Sequence, residues 1–452
     1  MSGRRKRYAV LAAAAALTAV AASLASAAPM KNASPSATSA TNGVLDIMGF
    51  GPGDEIANTR AEIAEKAVGA RVNNPRGGFS DQTFLAAVAS RDVPDLVYID
   101  RAKVGTYAAR NAFIPLNACI AKEKIELKQF RAATLAEVRF GPRIYAIPEF
   151  TNQRTIIVND RVAASAGLQP RDLSVTNWAK LRQVNRQLLR KDGNKVTRIG
   201  FDPKLPEFFP LWAKANGVSI LSKDGKKALL NSPRAIAALT FAYSLIQDHG
   251  GWGPFKSFRD TWDFFGAKNQ VAENQIGAWP MEAFYYSTLA QNSPGVQITG
   301  LPFTNRKGGP ITLLTGNGWA IPRGAKDPGL SCKWIKSMTR WETWLAAAKV
   351  RFNAQKARNR PFTGVYTANS VADVKIYEDV YQKMGRADFD EAVKLLVQVQ
   401  RYGFVVPPTK AGAEFQQAWM DAVTRVLNGQ QSPRAALNQA QREAQRAIDR
   451  AN

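Results

Sequence analysis

The chain holds one histidine, His249, and two cysteines, Cys119 and Cys332, among 452 residues. Ser-His-Asp and Cys-His catalysis would both have to run through that single imidazole. Its setting argues for a structural task instead. Ser232 is a natural helix N-cap, Pro233 suits the first helical position, and Gly250 suits the left-handed residue beyond the end. Ile236, Leu239, Tyr243 and Ile246 recur at helical spacing between them. His249 is therefore expected on the last turn, bonding free carbonyls and meeting the negative end of the helix dipole. The sequence has no G-x-S-x-G, H-E-x-x-H, P-loop or EF-hand pattern. Two cysteines and one histidine do not close a structural zinc site, so neither a metal nor a cofactor is expected. Paired carboxylates remain, and two of Asp100, Glu149 and Glu282 would be enough for a secreted glycosidase.

Tryptophan is the other informative residue type, with ten in the chain. Trp334, Trp341 and Trp344 fall at helical spacing and read as core. Trp279 and Trp319 follow short strand-like runs and adjoin Pro or Gly, where a ring can be presented to a ligand. A flat aromatic face suits the C–H face of a sugar, and planar polar groups suit its hydroxyls. Asp100 and Glu149 are the expected hydroxyl acceptors. Glu282, Phe284 and Tyr285 lie close to Trp279 in sequence, although Phe284 and Tyr285 fit a hydrophobic patch equally well. Trp252 and Trp262 bracket Asp260 and Asp263, in a stretch that either lines a cleft or plugs a core.

These residues sit on a chain built for export. Arg4-Arg5-Lys6-Arg7, an Ala-rich apolar run over Tyr8 to Leu24, and Ala25-Ser26-Ala27 form a secretory signal peptide, assigned to residues 1–28. The run is too short and too Ala-rich for a membrane span. No cysteine follows the cleavage site to carry a lipid, and the sequence leaves Sec and twin-arginine export both open. Residues 29–43 are polar and small, and read as a disordered tether. The net charge of +25 invites a nucleic-acid partner, but Lys and Arg are spread along the chain and no nucleic-acid-binding signature occurs. Anionic envelope polymers and headgroups, or plain solvation, account for the charge equally well.

Val44-Leu45-Asp46-Ile47-Met48 reads as a strand, and Gly49-Phe50-Gly51-Pro52-Gly53 as the loop leaving it. Ser80 caps a helix that breaks at Pro94-Asp95, and Leu96-Val97-Tyr98-Ile99 is a strand ending at Asp100. Strands alternating with helices predict an α/β fold with largely parallel sheets. Ligands then sit beyond the carboxyl ends of strands, where Phe50 and Asp100 fall. A second α/β stretch begins near residue 150, and the C-terminal third is helical, with Arg442, Arg446 and Arg450 forming a solvated stripe.

The order of these motifs resembles the bacterial extracellular solute-binding proteins of the sugar-binding group, the class that includes maltose-binding protein. Leu85 to Tyr98 is similar to that family's helix, Pro-Asp, strand unit. Tyr145-Ala146-Ile147-Pro148, Asn159-Asp160, Thr176-Asn177-Trp178, Ile276-Gly277-Ala278-Trp279, Leu301-Pro302 and Gly318-Trp319-Ala320-Ile321-Pro322 follow in the family's order, and Leu427-Asn428-Gly429 opens the terminal helix pair. The resemblance implies a two-lobed type II periplasmic-binding-protein-like fold, each lobe a mixed, mostly parallel sheet flanked by helices. Residues 44–147 with 304–360 would form one lobe, and 148–303 with 361–452 the other. Both cysteines then fall in the first lobe, where a disulfide is permissible without locking the hinge. The resemblance further implies a monomeric, non-enzymatic component of an ABC importer. It would close on a carbohydrate and pass it to membrane permease subunits, without nucleic acid. Trp279, Trp319, Glu282, Asp100, Glu149, Phe50, Gly318, Trp252, Trp262 and Tyr285 are the expected ligand-binding residues. The same fold would also suit an acidic sugar, a polyamine, a peptide or a metal complex.

Overall fold

A computed structural model describes residues 43–51 and 53–452; the expected signal peptide and nearly all of the tether lie outside the described residues. The strands, in chain order, are β1 (Val44–Met48), β2 (Arg71–Asn73), β3 (Leu96–Asp100), β4 (Arg139–Phe140), β5 (Arg143–Ile144), β6 (Ile147–Pro148), β7 (Arg154–Asn159), β8 (Arg190–Asp192), β9 (Lys195–Phe201), β10 (Ile276–Glu282), β11 (Ile298–Pro302), β12 (Thr312–Leu313), β13 (Asn317–Ala320) and β14 (Gly403–Phe404). They build two five-stranded sheets, ordered β2-β1-β3-β13-β6 and β11-β7-β10-β9-β8.

The helices between them start where the side chains dictate. Asp54 accepts from the Ala57 N–H to open the helix Glu55–Val68, and Ser80 accepts from Thr83 to open Asp81–Ser90. Ser232 does the same for Pro233–Gln247, with Pro at the helix start. The sheets are mixed as expected but carry more antiparallel pairing than βα alternation predicts. Within the two five-stranded sheets only β1–β2, β1–β3 and β9–β10 run parallel, and the short pair β12–β14 is parallel as well. The reason is topological: β7 and β13 follow crossings between the sheets and run against the βαβ direction of the sheet they enter, and β6 pairs with the reversed β13.

Each sheet carries its own apolar core, and the molecule is two-lobed. Phe303, Ile311 and Leu313 join the core of the second sheet. Phe362, Ala372, Ile376 and Val380 pack with Ile56, Trp344 and Phe352 in a third cluster. The helices Gly412–Leu427 and Pro433–Ala451 close the second core, and Arg442, Arg446 and Arg450 are exposed on the last of them.

The crossings lie side by side. Asn152 and Thr315 exchange backbone hydrogen bonds of 2.8 and 3.2 Å, and the Ala368 N–H donates to the Glu149 carbonyl at 3.0 Å. Arg101 staples them: Nη1 donates to the Phe150 and Asn317 carbonyls at 2.5 and 3.2 Å, and Nε donates to Glu137 at 2.7 Å. Gly316 has φ +149°, and a Cβ there would stand 2.1 Å from the Phe150 oxygen, so only glycine lets the strands approach this closely. Cys119 and Cys332 form a disulfide with Cα atoms 5.7 Å apart, joining two helices beside the first core.

His249 does meet the last turn, since Nδ1 donates to the Leu245 carbonyl at 2.7 Å. Its second bond departs from the expected cap. Nε2 accepts the Gly200 N–H at 3.1 Å, tying the helix to β9, and burial lowers its pKa to about 4. The ring is neutral, so it meets the carbonyls as a dipole and not as a cation.

Candidate functional site

Three adjoining cavities lie between residues of the two lobes. The first, of about 480 Å³, takes Phe50, Arg60, Tyr98 and Trp344 from the first lobe and Ala283, Phe284 and Ser287 from the second. Phe150 and Asn152 contribute from a crossing, and Thr363 to Tyr366 from the chain that follows the helix Trp341–Ala357. The second, of about 430 Å³, shares Gly49 and Tyr98 with it and adds Phe79, Asp81, Asp100, Lys103, Gln416 and Gln417. The third, of about 300 Å³, shares Asp100 and Gln416 with the second and adds Glu137, Arg154, Glu207 and Glu282. Together they form one cleft, aromatic at one end and rich in carboxylates at the other.

The aromatic end is built by strand ends and helix starts. Phe50 follows β1, and Tyr98 lies near the end of β3 on the same face as Asp100, two residues on. Phe50, Tyr98 and Trp319 pack mutually, with ring centroids 4.8 to 5.6 Å apart. From the second lobe, Phe284 stands at the start of the helix Phe284–Asn292. The Arg60 guanidinium lies 3.8 Å from the Trp344 ring centroid and pairs with the carboxylate of Glu149.

At the other end most charges are matched. Arg154 pairs with Glu282 at 3.1 Å, Lys103 with Asp81 at 2.6 Å, and Arg101 with Glu137 at 2.7 Å. Burial pushes Glu137 up to about 7, against the pull of Arg101, and burial also lowers Arg154. Asp100 and Glu207 have no cation within 4.0 Å among the described residues, so this end presents net negative charge on a basic protein. Among the described residues, no cluster of three His, Cys, Asp or Glu is placed to hold a metal.

The residues singled out from the sequence divide into three groups. Phe50, Asp100 and Glu282 line the cleft. Trp279, Trp319, Tyr285 and Glu149 are enclosed, each 0% exposed. Trp279 lies on β10, which is flanked by β7 and β9, and its indole is surrounded by Trp262, Phe264 and Tyr285 at 5.7, 5.8 and 5.1 Å. Its expected face for a ligand is therefore spent on the core of the second lobe. Trp319 sits behind Phe50 and Tyr98 and supports them, and Glu149 is occupied by Arg60. Trp252 and Trp262 are half-buried against the second core, so their segment plugs that lobe, while Gly318 pairs through its backbone with Pro148 and Ile99.

Several lining residues were not foreseen: Tyr98, Arg60, Gln416 and Gln417 among them. Tyr98 was legible from the strand's two-residue period, because it must share a face with Asp100. Trp344 was read as core and is buried, yet it also walls the cavity. Arg60 and the glutamines carry no local signal, since they reach the cleft only through helix packing.

The model of the bacterial extracellular solute-binding protein family matches residues 25–350. No curated protein sequence matches the chain. Among solved structures the chain is similar to CpMnBP1 with mannotriose bound, at 20% identity and a TM-score of 0.72, over 89% of this chain and 99% of that one. An ABC substrate-binding protein from Listeria monocytogenes in complex with cycloalternan gives 16% identity and a TM-score of 0.72, over 90% and 99%. The maltose/maltodextrin-binding domain from Bdellovibrio bacteriovorus bound to maltotriose gives 18% and 0.66, over 90% and 100%. At these identities the likeness establishes a shared fold.

Proposed function

The chain belongs to the family of bacterial extracellular solute-binding proteins, and we propose that it captures a neutral carbohydrate in the cleft and delivers it to the permease of an ABC importer. The observation that carries this reading is the pairing of aromatic faces from both lobes, Phe50 and Tyr98 on one side and Phe284 on the other, around a cavity with a polar rim. Such a site stacks on the C–H faces of a sugar and bonds its hydroxyls. The similar structures that hold mannotriose, cycloalternan, maltotriose and alpha-D-tagatose support a carbohydrate ligand. The uncompensated carboxylates Asp100 and Glu207 weigh against an acidic sugar, because they would repel it from the far end of the cleft.

Binding works by closure. A ligand that touches both half-sites stabilises the closed arrangement by its differential contacts, and no bond is broken. A glycosidase reading loses Glu149, which is enclosed and paired with Arg60. For the lobes, the cores support a boundary through 149–152 and 314–317, with 362–380 on the side of the first sheet. The basic n-region and Ala25-Ser26-Ala27 support export; among the described residues no helix is long and apolar enough to cross a membrane.

The test is calorimetry and thermal shift with mannotriose, maltotriose and cycloalternan, beside acidic sugars, amino sugars and a polyamine. A ligand at a hundredfold excess over its Kd should stabilise the protein by about 2.7 kcal/mol. Silence across all the neutral sugars would remove the proposal, and turnover of a chromogenic glycoside would replace it with the enzymatic one.

A further inference from the structure

Beyond the carboxylate end of the cleft, with whose third cavity it shares Pro408 and Thr409, a cavity of about 600 Å³ is walled by two facing turns and one chain segment. The first turn joins β4 to β5 and places Arg139 and Arg143 on either side of Gly141. The second runs through residues 222–227, closed by the Ser222 N–H on the Lys227 carbonyl at 2.9 Å, and contributes Lys223 and Lys226. Pro408 to Lys410 form the third wall, with Phe140 and Tyr145 beside them. The first turn borders the core of the first sheet and the second turn that of the second, so the cavity bridges the lobes.

Charge is the distinctive property of this cavity. Arg139, Arg143, Lys223, Lys226 and Lys410 are all exposed, and none has a carboxylate within 4.0 Å among the described residues. Asp224 is turned to its own loop, where Oδ1 accepts from the Ser222 hydroxyl at 2.6 Å and from the Lys226 N–H at 3.1 Å; Asn452, with the terminal carboxylate, also lines the wall, against five cationic side chains. The walls are held by close backbone approach. A Cβ on Gly225 would stand 2.0 Å from the Pro408 oxygen, and one on Gly105 would stand 2.2 Å from the Thr409 oxygen. The segment carrying Lys410 is thus gripped from both sides, and the like charges are kept in one concavity that focuses their field.

We propose that this cavity binds a multiply charged, phosphate-bearing anion that contacts both lobes. Guanidinium forks on Arg139 and Arg143 suit phosphate oxygens in pairs, and the lysines add mobile point charges. The volume exceeds the roughly 300 Å³ at which small-molecule sites begin. The phosphates can come from a soluble oligophosphate or from a lipid headgroup, and the chemistry recognised is the same.

The test titrates sodium tripolyphosphate into the exported protein at fixed ionic strength, following melting temperature and heat. In parallel, sedimentation with phosphatidylglycerol vesicles tests the headgroup source. The expected result is saturable binding, weakened at least tenfold in Arg139→Glu/Lys226→Glu and unchanged in Arg442→Glu/Arg446→Glu, which alters net charge equally on an exposed helix face. The milder Arg139→Gln/Lys226→Gln pair guards against misfolding and should show an intermediate loss. Tripolyphosphate binding without vesicle capture identifies a soluble anion; vesicle capture that tripolyphosphate displaces identifies a headgroup. No response to either probe, or equal losses in the cavity and control variants, overturns the proposal. Sugar binding is read separately, and neither result depends on it.

Discussion

Arg60, on the helix Glu55–Val68, donates from Nη1 to the carboxylate of Glu149, at the start of the first crossing between the lobes. Both are buried, and the guanidinium lies over the Trp344 ring at 3.8 Å and 6.0 Å from the Phe50 ring centroid. One ion pair therefore links the wall of the cleft to its hinge. Removing one partner leaves the other charge buried and uncompensated. Arg60→Ala should lower unfolding free energy by about 3–5 kcal/mol, whereas the double replacement Arg60→Met/Glu149→Leu should recover most of that loss. Urea titrations of the three proteins decide it, and a double variant no more stable than Arg60→Ala would refute the coupling.

Within the second lobe the aromatic residues divide by task, and mutation should separate them. Trp279→Ala excavates the core of the second lobe and should cost about 3–5 kcal/mol of stability. Phe284→Ala removes a half-buried ring that faces the first cavity. It should leave stability nearly intact while weakening oligosaccharide binding by about tenfold, the scale of one lost aromatic contact. Paired denaturation and calorimetry check this. Should Trp279→Ala abolish binding in a protein of unchanged stability, the ligand would lie against β10 instead.

Local chemistry explains which parts of this architecture can be read before the fold is known. The caps at Ser80 and Ser232 and the strands β1 and β3 follow from side chains within a few residues of one another. Whether Trp279 ends in a cleft or a core does not, because β10 becomes a central strand only through β7 and β9, which lie 75 or more residues earlier. The same holds for Arg60, whose partners Glu149 and Trp344 arrive from distant segments. The place of Asp100 on the cleft wall was legible because the carboxyl ends of strands in an α/β fold border the cleft whatever the neighbours are.

The Cys119–Cys332 disulfide joins two helices of the first lobe, and the 213-residue loop it closes runs out through the second sheet and back. In the chain-entropy account a loop of that length restricts the unfolded state by about 5 kcal/mol, near the top of the measured range. Cys119→Ser/Cys332→Ser should therefore lose about 2–5 kcal/mol, with oligosaccharide affinity unchanged because neither cysteine lines the cleft. Denaturation midpoints with and without reductant give the comparison. An altered affinity at full folding would mean that the bridge also governs lobe closure.

His249 makes stability depend on pH in a direction that its hydrogen bonds fix. The ring gives Nδ1–H to Leu245 and takes the Gly200 N–H at Nε2, so a second proton would set one donor against another. Burial holds its pKa at about 4, below the ordinary 6.5, while the Leu245 bond and the carboxylates of Asp202 and Asp248 pull the other way and Lys191 reinforces the depression. The unfolded chain takes up this proton near pH 6.5 and the folded chain only near pH 4. Between those values the unfolded state holds more protons, so stability is complete above about 6.5 and falls as pH drops toward 4. A shift of this size is worth roughly 3 kcal/mol at the acid end. His249→Gln keeps an oxygen to accept from Gly200 and cannot titrate. It should be less stable than the parent at pH 7.5, and the gap should narrow or reverse by pH 4. Carboxylates that titrate in the same window cancel between the two proteins, so urea unfolding across that range isolates the imidazole. A gap that stays constant with pH would mean the folded ring takes up its proton as readily as the unfolded one, and the bond from Gly200 would then have to be abandoned.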